Sequence, residues 1–188
     1  MNVEAMLDLR CHQVTPSDGV RAIHVSVRRT SAELDLRFRL EADISGIRIT
    51  PPSEPQGVTE LWRHTCFETF VAIEGQAAYH EFNFAPSREW WVYAFRAYRD
   101  PAPHTKASHS PAIDVSATDQ RLELQTRIHL KDLSPVHSHS PLRLGVCAVI
   151  ESQNGSLSYW ALLHPAGQPD FHHADAFALR LEAPESEG

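Results

Sequence analysis

Cysteine is scarce in this chain of 188 residues: Cys11, Cys66 and Cys147 are an odd set with no CxxC pair. That argues against a disulfide framework and against a structural zinc motif. Basic residues are also in the minority, with 17 Lys and Arg against 24 Asp and Glu, a formal charge of −7. Nucleic acid is bound through clustered cations that release counterions, so it is not an expected partner. A membrane is not expected either: the charge disfavours an electrostatic anchor, and no run approaches the roughly 18 apolar residues of a span. The first residues, Met1-Asn2-Val3-Glu4-Ala5, lack the basic-then-apolar layout of a signal peptide. A cytoplasmic protein with free thiols is therefore the expectation. No Gly-rich phosphate loop, HExxH, GxSxG or SxxK motif occurs, and no amphipathic helical pattern stands out.

What is present is alternation. Ile23, Val25 and Val27 alternate with polar residues, as do Leu34, Leu36, Phe38 and Leu40. Leu122, Leu124, Thr126, Ile128 and Leu130 repeat the pattern, and so do Phe177, Leu179 and Leu181. Period-two alternation marks strands with one face on a core. Turn signals such as Pro51-Pro52, Asn154-Gly155 and Pro165-Ala166-Gly167 separate the runs. The sequence predicts an all-β, antiparallel β-sandwich of immunoglobulin-like or jelly-roll type, one domain over residues 1–183. Residues 184–188 are expected to fray, and 100–111 and 131–141 to be surface loops.

Two hairpins allow sharper expectations. Residues 62–73 and 78–84 pair across a Gly75-Gln76 turn, with Phe67 opposite Phe84, Thr69 opposite Phe82 and Val71 opposite His80. The other face then carries Trp62, His64, Cys66, Glu68 and Phe70 beside Tyr79, Glu81 and Asn83. A following strand is expected to add Trp91, Tyr93 and Phe95 to the apolar face and Trp90 to the polar one. The second hairpin turns at Asn154-Gly155, read as a two-residue loop. Val149 then meets Trp160, and Gly145 meets His164 with room for a ligand or another chain segment.

The candidate ligand residues follow from this. Glu68, Glu81 and Asn83 on an otherwise aromatic face would be costly if buried unpaired. Either water and partners such as Arg63 or Arg143 satisfy them, or they take ligand hydroxyls while Trp62, Trp90 or Trp160 stack on a ring, with His64 nearby. A Cys66–His64 nucleophile is a weaker reading, because alternate residues on a strand stand about 7 Å apart. The stretch ALLHPAGQPDFHHADAF is read as a turn and polar loop. A metal or haem site through His164 with His172 or His173 is the alternative; these adjacent histidines point to opposite sides of an extended chain. A hydrolase using Glu68 and Glu81 is a third possibility, so enzyme activity stays open, with binding favoured.

The segments ELWRHTCFETFV, YHEFNFAPSREWWVYAFRAYR, LGVCAVIE and LSYWALLHPAGQPDFHHADAFALRL resemble the DOMON-like domains related to family 9 carbohydrate-binding modules. The resemblance spans about residues 20–181. It implies a β-sandwich that binds sugar or haem and usually does no chemistry. Sugar-binding members clamp a ring between two tryptophans. Trp62 matches the tryptophan of the LW motif and Glu68 its downstream acid, while Trp90 and Trp160 compete for the second place. Haem-binding members use Met with His or Lys. Met1 and Met6 lie outside the match, so two histidines would have to serve. The expected partner is a small polar ligand, a saccharide first.

Overall fold

The computed structural model describes residues 3–103 and 110–184. Residues 104–109 of the expected 100–111 loop and 185–188 of the expected frayed tail lie outside them. In chain order the strands are β1 (Val3–Cys11), β2 (Val20–Arg29), β3 (Glu33–Ala42), β4 (Cys66–Ile73), β5 (Tyr79–Phe84) and β6 (Trp90–Ala97). They continue as β7 (Asp100–Pro101), β8 (Ile113–Thr118), β9 (Arg121–His129), β10 (Leu142–Glu151), β11 (Leu157–Ala161) and β12 (Leu179–Leu181). The described helical segments are short 3-10 turns, none long and apolar enough to cross a membrane.

Every strand pair is antiparallel. The first sheet runs β1-β2-β3-β9-β8 and the second β7-β6-β5-β4-β10-β11. β1 belongs to both. Its stretch from Val3 to Leu9 pairs β2, while Arg10 and Cys11 pair Ala161 and Trp160 of β11. β12 lies beside the first residues of β10 and β11 beside the last. The inner faces meet in one apolar core. Ile23, Val25, Leu36 and Phe38 of the first sheet pack with Phe67, Phe84, Leu144 and Val146 of the second, and the Phe38 and Phe67 rings lie 5.0 Å apart. The fold is the all-β antiparallel sandwich that the alternation predicts.

The β4–β5 register is as expected: Phe67 faces Phe84, Thr69 faces Phe82 and Val71 faces His80. Three other expectations need correction. First, β4 begins at Cys66, not at Trp62. Leu61–Arg63 forms a 3-10 turn entered through Glu60 at φ 62, so His64 and Trp62 leave the alternation.

Second, the Asn154-Gly155 hairpin closes over three residues, not two. Ser152 and Ser156 pair, with Gly155 at φ 86. A three-residue loop with glycine in the left-handed position competes with the two-residue turn. One added residue inverts the faces. Ala148 therefore pairs Trp160 and Val149 pairs Tyr159, so Trp160 enters the core.

Third, residues 86–88 make a loop of the same kind, with Ala85 bonded to Glu89 and Arg88 at φ 71. Trp90 and Val92 accordingly face the core. Trp91, Tyr93 and Phe95 share the outer face with Asn83, Glu81 and Tyr79, the reverse of the expectation. A smaller difference concerns Phe177. It precedes β12 and packs outside the sandwich, whereas Leu179 and Leu181 pack inside.

Three residues tie chain segments to this frame. Gly145 pairs Phe70, not His164, but it does leave room for another segment. A Cβ there would meet the Phe177 ring at 2.9 Å, Phe70 at 3.3 Å and the Ala176 carbonyl at 3.4 Å. Arg143 holds the same segment by donating to the carbonyls of Phe177 and Ala174. Arg29, wholly buried, donates to four carbonyls: Leu181, Glu182, His137 and Ser140. Those bonds engage both terminal nitrogens of a guanidinium that burial would otherwise penalise heavily, while its buried Nε has no partner.

Gly145→Ala is expected to overpack the contact with Phe177 and cost about 1–3 kcal/mol. Urea unfolding checks the size. Hydrogen exchange should show residues 170–177 losing protection first, and an unchanged midpoint would contradict the packing described.

Candidate ligand-binding cleft

The outer face of the second sheet carries a cleft of about 720 Å³, within the range of small-molecule sites. Strand order explains its shape. β5, β4 and β10 form the floor through Glu81, Glu68 and Val149. β6 raises Tyr93 and Phe95 on one side, and β11 raises Tyr159 on the other. Four strand-to-strand steps separate β6 from β11, about 19 Å at the backbone. Trp62, 42% exposed, stands at the rim on its 3-10 turn, with the Arg63 guanidinium 5.2 Å from its ring centre. The Glu60 amide donates to the Tyr93 hydroxyl and anchors that turn to β6.

The loop between β11 and β12 forms the remaining wall with Gln168, Pro169, Phe171 and His172. This is the ALLHPAGQPDFHHADAF stretch. It is held by apolar and ionic contacts together. Phe177 lies 5.5 Å from Phe70, centre to centre, and Phe171 lies 5.9 Å from Tyr159. Asp170 accepts from Tyr98 at 2.7 Å and pairs with Arg99 at 2.9 Å.

The floor is unusually acidic for its burial. Glu68 and Glu81 are only 2% and 4% exposed. Asn83 donates to Glu81 Oε1 at 2.8 Å, and the Cys66 thiol donates to the Asn83 amide oxygen. The His172 Nε2 atom lies 3.6 Å from Glu81 Oε2. Tyr79 accepts from the Arg99 amide, which leaves its hydroxyl proton for His172 Nδ1 at 2.8 Å. That tautomer puts the remaining ring N–H toward Glu81. Glu68 has one weak partner, the Cys147 thiol at 3.9 Å from Oε2, and its Oε1 has none.

Electrostatics follow burial. Desolvation, and then the neighbouring Glu81, push the Glu68 carboxyl well above the usual carboxylate range. Desolvation lifts Glu81 to about 7, against the opposing pull of Asn83 and Arg99. His172 goes the other way: burial and then Arg99 lower it to about 4, so the ring is neutral near pH 7. Burial also raises the Cys66 and Cys147 thiols well above their usual range. Neither is an activated nucleophile.

Among the sequence-predicted residues, Trp62, Glu68 and Glu81 line the cleft, and Asn83 supports Glu81 from beneath. His64 does not join them. Its turn directs the ring to Glu151 at 2.8 Å, where Arg48 also binds. Trp90 and Trp160 face the core, for the loop reasons given above. Neither Arg63 nor Arg143 reaches the acids: Arg63 pairs Glu60, and Arg143 clamps the loop.

The three candidate metal or haem histidines separate. His172 enters the cleft. His173 caps a 3-10 turn by accepting from the Asp175 amide. His164 donates to the Arg10 carbonyl beside a different pocket of about 370 Å³. Among the described residues no group of three His, Cys, Asp or Glu is placed to hold a metal ion. Sequence reasoning missed Tyr93, Phe95, Tyr159, Phe171 and Arg99. The first three become visible once the loop lengths, and hence the registers, are known.

No family model matches the sequence, and no curated protein matches it. The fold does match a crystal structure from Bacteroides uniformis, of a protein described as a proposed carbohydrate-binding protein. The TM-score is 0.65 at 15% identity, covering 92% of this chain and 83% of that one. A likeness at this identity establishes the shared fold.

The raised carboxyl of Glu81 has a consequence for stability. Between about pH 4.5 and about 7 the folded protein holds a proton that the unfolded chain has released. Stability from this group therefore falls as pH rises through that window. His172 and His80, each lowered to about 4, oppose it, because burial keeps them neutral while the unfolded chain protonates. Subtracting wild type from Glu81→Gln cancels the histidines and reports the Glu81 carboxyl together with the part of the Glu68 shift that Glu81 causes. The variant's advantage is expected to grow from pH 4.5 to 7 by up to about 3 kcal/mol. Urea melts across the range check it, and a flat difference would show that Glu81 is solvated.

Proposed function

We propose that this chain is a non-catalytic binding module whose outer-face cleft takes a small polar ligand, a saccharide first. The observation that carries the reading is a single cleft with an aromatic wall, a tryptophan rim and two almost fully buried acids in its floor. Aromatic faces stack on the C–H surface of a sugar ring, and buried acceptors that lack partners are satisfied by its hydroxyls. Glu68 Oε1 is such an acceptor. The DOMON-like resemblance supports the same pair of residues, because its LW motif and downstream acid fall on Trp62 and Glu68. The proposed carbohydrate-binding role of the structural neighbour is consistent with it.

The two-tryptophan clamp takes a different form in this reading. Trp90 and Trp160 are committed to the core, so the second stacking surface is Tyr93 or Tyr159. Asn83 positions Glu81 instead of touching the ligand. One domain over residues 1–183 and a cytoplasmic setting that keeps the thiols reduced complete the proposal.

A glycan array followed by calorimetric titration tests it. Binding is expected in the micromolar to millimolar range, about −8 to −4 kcal/mol. Trp62→Ala is expected to weaken it at least tenfold, with the fold kept by circular dichroism. No binding across the array, or affinity unchanged in Trp62→Ala, would remove the idea.

A further inference from the structure

We propose that the cleft selects a saccharide carrying a protonated amine, which binds at the Glu68–Glu81 pair. The inference rests on the saccharide reading and names the class of sugar. It starts from an imbalance. Glu68 is nine-tenths buried or more, lines the cleft, and has an oxygen with no hydrogen-bond partner. Glu81 Oε1 is taken by Asn83, and its Oε2 faces only the neutral His172 ring.

Among the described residues no arginine or lysine ion-pairs with either acid, although the Arg99 charge pulls on Glu81 from the border of the cleft. The groups against it from β4 and β10 are the thiols of Cys66 and Cys147. From β6 and β11 come the phenols of Tyr93 and Tyr159. Arg99 borders the cleft, but its guanidinium is bound to Asp170 and Tyr98. Two carboxyls side by side in a low-dielectric floor repel when both ionise. A hydroxyl relieves one unpaired oxygen and leaves that repulsion in place. An ammonium brings up to three donors and a compensating charge, so it gains from both carboxylates at once. The walls suit the same group, since aromatic faces attract a desolvated cation. A ring bearing an amine beside hydroxyls uses the floor, the rim and the walls together.

The charge argument predicts a proton signature. Near pH 6 the empty floor holds at least one proton, because Glu81 titrates at about 7 and burial holds Glu68 well above the usual carboxylate range. An arriving ammonium ionises the pair, and the displaced proton passes to the buffer. A neutral sugar displaces none.

The test is calorimetry at pH 6 in buffers of different ionisation enthalpy, with cellotriose, its 2-amino counterpart and cyclohexylamine. The two trimers differ only in ammonium for hydroxyl at each ring. The amino trimer is expected to bind at least tenfold tighter than cellotriose and to release at least one proton. Glu68→Gln and Glu81→Gln, combined in one chain and checked for fold by circular dichroism, are expected to erase both the preference and the release. Equal affinity for the two trimers, or a preference that survives both substitutions, overturns the amine assignment and leaves the saccharide reading standing. Cyclohexylamine binding as tightly as the amino trimer keeps the cation site and overturns the sugar. No binding of any of the three overturns both.

Discussion

Loop length is the constraint on which the cleft depends. Residues 86–88 and 153–155 each close a hairpin with three residues and a left-handed third position. Since strand side chains alternate strictly, a loop one residue shorter would turn Tyr93 and Tyr159 inward and Trp90 and Trp160 outward. The present parity gives Trp90 and Trp160 to the interior and leaves Trp91 outside. It puts the phenols of Tyr93 and Tyr159 on the cleft side. Backbone geometry at two turns therefore decides the chemistry of a face many residues away.

The strands of both sheets were largely legible, because alternation is a direct imprint of one-sided burial. So was the meeting of Glu68, Glu81 and Asn83, since the β4–β5 register follows from Phe67 and Phe84 facing the same way. β1 went unread although Leu7 and Leu9 alternate with charged neighbours. Its role as the link between the sheets is a long-range pairing that no local pattern displays. His64 was misplaced because a left-handed Glu60 and a 3-10 turn end the extended run. The adjacent histidines lie in a turn, where His172 lines the cleft and His173 serves the backbone.

The outer face is covered in part and open in part, and side-chain size decides where. Small residues, Gly145 with Ala72 and Cys147, accept the descending loop and the rings of Phe171 and Phe177. Beyond them Asp170 reaches Tyr98 and Arg99 in the turn between β6 and β7 and carries the loop across the face. The acids lie in the floor beside that loop, with His172 3.6 Å from Glu81. Their desolvation is sustained by the rigidity of five neighbouring strands, much as strained or polar sites elsewhere are sustained by the frame around them.

Arg29 bears on the order of assembly. The side chain belongs to the second strand, yet its acceptors are carbonyls between residues 137 and 182. While the chain emerges from a ribosome, this guanidinium waits, hydrated, until the residues up to Glu182 have been made. Only then can it enter the interior with every N–H that faces a carbonyl engaged. The first sheet can pair early through its hairpins, but the buried arginine cannot be engaged until the β12 segment arrives, so the two layers seal around it late.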